Sequence, residues 1–122
     1  MERYLNASVK RMDRARNLVA DTNARLKELH QERLGRIIFR AWRRGFREAD
    51  LVLGPFAEQV GPTLDATQLD AFEAMLEAED HDLYAWIIGK TPIPAEHDGP
   101  VMARLQAFMR DHVAAVVAEG AG

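Results

Sequence analysis

The sequence predicts an all-α protein, a compact five-helix bundle with an additional N-terminal helix. Three observations predict it. Apolar residues recur at three- and four-residue spacing along nearly the whole chain. No alternation of the kind a strand needs lasts long enough to compete, and helix-start and helix-stop residues punctuate the periodic segments.

Residues 1–30 are polar, their apolar residues (Tyr4, Leu5, Val9, Leu18, Val19) sparse, and they read as the extra helix. Residues 31–119 form the bundle, and 120–122, "GAG", a disordered tail. Leu34, Ile37, Ile38, Ala41 and Trp42 make one buried stripe. A second pattern, Val52, Phe56 and Val60, begins after Glu48 and is interrupted by Gly54-Pro55, where the helix either kinks or restarts. Asp65 and Gln68 are spaced for a capping box ahead of the stripe Leu69, Phe72, Met75 and Leu76. Asp80 is placed to cap a short helix through "DLYAWII", which Gly89 ends in the left-handed conformation. "TPIPAEHDGP" (91–100) carries three prolines and is a loop. Pro100 suits the first turn of the last helix, whose stripe is Val101, Leu105, Phe108, Met109, His112 and Val116.

A chain of 122 residues is long enough for one domain with a real core. It has no cysteine, so neither a disulfide framework nor a thiolate zinc site is available. No apolar run approaches the roughly 18 residues of a membrane span, so no membrane insertion is expected. The N-terminus lacks a signal-peptide core, and Glu2 and Asp13 count against a transit peptide. The expectation is a soluble intracellular protein.

The net charge of −3 hides a split. Residues 1–47 carry 13 Lys or Arg against 5 Asp or Glu, a net of +8; residues 48–122 carry 3 against 14, a net of −11. Either a basic surface meets an anionic partner, or the two halves complement each other within the fold.

Arg33, Arg36, Arg40, Arg43 and Arg47 recur at helical spacing and are expected to share one face. A basic stripe of this kind is what phosphate neutralisation needs. A pI of about 5.8 and the lack of interleaved aromatic residues argue against nucleic acid. His30, His81, His97 and His112 show no metal-ligand spacing, so no metal site is assigned. The acidic run "EAEDHD" (77–82) reads as a helix junction, with Asp80 and Asp82 at the positive end of the following helix. No nucleophile is paired with a base and no glycine-rich phosphate loop is present, so no catalytic residue is assigned.

"RRGFRE" (43–48) has three possible uses: a plain turn, a nucleic-acid contact or a docking loop for another protein. Gly45 falls at the end of the first core helix, where it is expected to take positive φ and to leave backbone open to close approach. Arg44 and Glu48 flank it as an exposed donor and acceptor. Their loss is then expected to leave stability nearly unchanged, and Gly45→Arg to stay folded while blocking a partner.

The stretch "RRGFREADLVLGPF" resembles the RGxxE signature of the succinate dehydrogenase flavinylation factors, the SdhE-like family of small helical assembly factors. "LDAFEAMLEAEDHDLYAWIIGK" is similar to the family's second signature, and the likeness runs from Arg33 to about His112. It implies a five-helix bundle, monomeric when free and not an enzyme. Its partner would be the flavoprotein subunit of succinate dehydrogenase, and in some cases that of fumarate reductase. It implies covalent FAD attachment to a histidine of that subunit and no tightly bound cofactor in this chain. Carried over by position, Arg44, Gly45 and Glu48 lie at the contact surface, beside Arg43, Arg47 and Asp50. The compartment implied is the cytoplasm, or the mitochondrial matrix in a eukaryote. The alternative is a helical regulator, antitoxin-like or nucleic-acid-binding, acting through the arginine face.

Overall fold

In the computed structural model the chain is described from residue 2 to 121, with side chains from 10 to 115. Among the described residues there are five α-helices, two short 3-10 turns and no strand. In order they are α1 (Glu2–Ala41), α2 (Arg47–Gln59), a turn at Gly61–Thr63, α3 (Ala66–Leu76), α4 (Asp80–Ile87), a turn at Ala95–His97 and α5 (Pro100–Ala121). The additional N-terminal helix and the first bundle helix are continuous in α1, because neither proline nor a capping turn separates them. No described helix is long and apolar enough to cross a membrane.

The chain divides into two compact units, Met1–Arg33 and Leu34–Gly122. Throughout 10–29 of the first unit every described side chain is exposed, with Arg25 paired to Glu28 at 3.3 Å and to Glu32 at 3.8 Å. Tyr4, Leu5 and Val9 lie outside the described side chains.

The second unit is held by one apolar core. Ile37, Leu53, Phe56, Leu69, Phe72, Met75, Leu83, Met102 and Leu105 are its largest fully buried side chains. Phe56 is central: its ring meets Phe72 edge-on at 5.2 Å and Phe108 at 5.6 Å, the geometry in which one ring's positive edge meets another's negative face. α5 packs on α2, α3 and α4. All four residues of the Leu69–Leu76 stripe are buried, whereas Leu34, Ile38, Trp42, Phe108, Met109 and His112 are half-buried at the margins. Val116 lies outside the described side chains.

The helix ends follow local chemistry. The capping box is present: Gln68 N donates to Asp65 Oδ1 at 2.8 Å, and Asp65 N to Gln68 Oε1 at 2.9 Å. Gly89 has φ of 76° and closes α4 as a Schellman motif, Lys90 N donating to Ala85 O at 2.8 Å. Pro100 is the first residue of α5. α4 departs from expectation at its start. Its cap is Glu79, whose side chain accepts from Asp82 N at 3.0 Å, because the Asp80 carboxylate is engaged elsewhere.

α2 runs through Gly54-Pro55 without restarting. The glycine is needed for packing: a Cβ there would collide with the Trp42 ring, itself tied by Nε1 to Glu58 Oε1 at 2.7 Å. Gly54→Ala is expected to destabilise the protein by roughly 1–3 kcal/mol through overpacking. Chemical denaturation would measure it, with Trp42 fluorescence reporting displacement of the ring.

Candidate docking site

The chain leaves α1 at Trp42 and enters α2 at Arg47, so residues 42–46 form a short connection. Such a connection has few helical hydrogen bonds of its own and takes its shape from what it is tied to. Here three consecutive residues are each anchored.

Arg44 is the principal anchor. Its side chain is only 8% exposed. Nη1 donates to Leu76 O at 2.9 Å, and Nη2 donates to Ala78 O at 3.2 Å and pairs with Asp80 Oδ1 at 2.7 Å. Leu76 is the last residue of α3, where carbonyls lack helical donors and a cation is favoured. One guanidinium therefore satisfies the end of α3 and the junction before α4. Its Nε is buried with no acceptor among the described residues. The backbone N of Arg44 donates to Asp50 Oδ1 at 2.5 Å.

Gly45 donates its N–H to the other Asp80 oxygen, Oδ2, at 2.6 Å. Its φ is not positive: Gly89 alone takes that conformation among the described residues. A Cβ at 45 would stand 2.5 Å from Asp80 Oδ2, so any larger residue there has to displace that carboxylate. Phe46 completes the tie. Its ring stacks on His81 at 4.4 Å, nearly parallel, and meets Tyr84 edge-on at 5.2 Å.

The expected exposed Arg44–Glu48 pair is thus replaced. Arg44 points inward because three acceptors from the α3–α4 junction surround it, while Glu48 stays exposed with no partner among the described residues. The five-arginine face is also broken, because α1 ends at Ala41 and Arg47 begins a new helix. Arg36 is exposed and Arg40 pairs with Glu77 at 2.5 Å. Arg43 is exposed and lies over the Phe39 ring at 3.5 Å, a cation–π contact. Asp50 is half-buried and serves the loop from within.

What remains outward is specific. Arg47 and Glu48 open α2 side by side, exposed and without partners among the described residues. Leu51, 44% exposed, follows one turn later on the same face. Phe39 is 57% exposed beneath Arg43. Sequence reasoning missed Asp80 as the hub, and missed Phe39 and Leu51 as exposed apolar neighbours. The acidic run 77–82 was the available signal for the first, but spacing alone does not tell which carboxylate turns towards a loop 35 residues away. No group of three His, Cys, Asp or Glu among the described residues is arranged to hold a metal.

The bundle thus fixes one charged loop by polar ties to the α3–α4 junction and to Asp50. Residues 35–109 match the family described as flavinator of succinate dehydrogenase, and the chain belongs to that family. It is 32% identical over 85 residues to the FAD assembly factor SdhE of Pseudomonas putida, covering 70% of this chain and 95% of that protein. The FAD assembly factor SdhE of Acetobacter pasteurianus is 37% identical over 70 residues, 57% of this chain and 64% of that one. The mitochondrial succinate dehydrogenase assembly factor 2 of Mycosarcoma maydis is 34% identical over 68 residues, 56% of this chain. The match spans just under two thirds of the Acetobacter protein and 29% of the fungal one.

Proposed function

We propose that this chain binds the flavoprotein subunit of succinate dehydrogenase and promotes covalent attachment of FAD to it, as an assembly factor and not an enzyme. The observation that carries this reading is the family match, which contains the whole anchored loop and its anchors. The names of the bacterial and fungal relatives support it.

In this reading Arg47 and Glu48 are the polar contacts, with Arg43 and the Phe39 ring beside them. Gly45 keeps the loop low, while Arg44 and Asp50 fix its shape from beneath. FAD is bound and joined by the client, and this chain holds the client in the conformation that reacts. The flavoprotein of fumarate reductase is a second client in the same proposal. The place of action is the bacterial cytoplasm, or the mitochondrial matrix in a eukaryote.

The test is in-gel flavin fluorescence of the dehydrogenase subunit, produced with and without this protein in cells lacking their own factor. Wild type is expected to give a fluorescent band. Glu48→Ala is expected to lower it about tenfold, the effect of losing roughly 1.4 kcal/mol of charge-assisted contact. Its melting temperature should change little, because an exposed side chain without a partner contributes only about 0–1 kcal/mol. Undiminished fluorescence with both Arg47→Ala and Glu48→Ala in place sinks this docking surface. No band with wild type sinks the function.

A further inference from the structure

The first unit carries a feature that flavinylation does not use, outside residues 35–109 of the family match. Met12, Val19 and Leu26 recur every seven residues on α1 and are 57%, 60% and 58% exposed. Ala15, Thr22 and Leu29 each stand three residues further on, also exposed. This is the a and d pattern of three heptads, and a seven-residue repeat keeps its seam facing another helix only if the two supercoil.

We propose that this seam pairs with the same seam of a second copy of the chain, as an antiparallel two-stranded coiled coil. A second copy is the occupant because it supplies the matching seven-residue repeat, and size and charge choose the orientation. In a parallel pair like meets like. Ala15 would face Ala15 and Thr22 would face Thr22, leaving thin layers, and Arg11 would lie beside Arg16 of the second copy. In an antiparallel pair centred between Ala20 and Asp21, Met12 faces Leu29, Ala15 faces Leu26 and Val19 faces Thr22. The two smaller side chains then each meet a larger one, as close packing favours. Arg11 comes beside Glu32 of the second copy, twice in the dimer. Leu18, the most exposed at 67%, comes against the aliphatic stem of Arg25. The monomer expected from the sequence is replaced by a dimer that dissociates on dilution.

Sedimentation of the full chain over a wide concentration range tests self-association. Wild type is expected to pass from monomer to dimer, and Val19→Asp to stay monomeric with an unchanged helical circular dichroism spectrum. Orientation is read by disulfides, since the natural chain has no cysteine. A mixture of Met12→Cys and Leu29→Cys proteins is expected to cross-link. Either alone is not, because the two copies of one position lie about 25 Å apart along an antiparallel pair, at 1.5 Å per residue. A monomer at every concentration overturns the proposal, as does a dimer indifferent to Val19→Asp. Cross-linking of Met12→Cys with itself overturns the antiparallel arrangement. Sedimentation of the monomer with anionic vesicles, without self-association, assigns the seam to a lipid surface instead.

Discussion

Arg44→Ala is expected to melt roughly 10–20 °C below wild type, a loss of about 2–4 kcal/mol in a bundle of this size. The substitution leaves Leu76 O and Ala78 O without their side-chain donor and Asp80 Oδ1 without its cation. Unpaired groups at such a partly buried site cost more than the lost bonds themselves, because water does not fully replace the partner. The loop also loses its inner strut, so the proposed flavinylation activity is expected to fall with stability. Arg44→Lys should recover little of either, since an ammonium cannot span three acceptors arranged for a planar fork. Differential scanning calorimetry checks the first claim. Melting within about 3 °C of wild type would show that the guanidinium is not locked into the junction.

Gly45→Ala is expected to cost roughly 1–2 kcal/mol in the wild type and only a few tenths in an Asp80→Ala background, a coupling of neighbours read by a double-mutant cycle. The reason is spatial. The backbone at 45 suits any residue, but a methyl group there meets the carboxylate that holds both the Gly45 N–H and Arg44. Swinging Asp80 away breaks both ties, so the loop loosens and the proposed flavinylation activity is expected to drop. Gly45→Arg should fare worse than Gly45→Ala in melting temperature, contrary to the expectation from sequence that Gly45→Arg stays folded and only blocks a partner. Equal cost of Gly45→Ala in the two backgrounds would place the penalty somewhere other than Asp80.

Where a rule is local, the sequence was legible. The Asp65–Gln68 box, the left-handed Gly89 and the Pro100 start each depend on residues within one turn, and each stands as expected. The core stripes were readable for the same reason, since burial of Leu69, Phe72, Met75 and Leu76 follows from helical period. What failed was long-range. Asp80 has the right chemistry to cap its own helix, yet it serves Gly45 and Arg44, and Glu79 caps instead. Gly54-Pro55 is expected to kink or restart its helix, yet α2 runs on, and the neighbour that selects glycine there, Trp42, is twelve residues away in the connection after α1. Arg44 and Glu48 looked like a pair because four residues separate them, but the loop turns one inward and leaves the other out. Choices among several plausible partners are made by tertiary packing, and spacing does not carry them.

The span of the Arg44 ties has a consequence for biosynthesis. Every acceptor of the guanidinium comes from residues 76–80, from the end of α3 to the start of α4. The loop at 42–46 therefore has no fixed shape while the ribosome is still making α2, and takes one only after the α3–α4 junction has emerged and packed. The surface that distinguishes this protein is written early and assembled late. Under the proposed function, a nascent fragment ending before Asp80 is expected not to capture its client, and cleavage that removes the second half of the bundle is expected to release the loop in the first half as well.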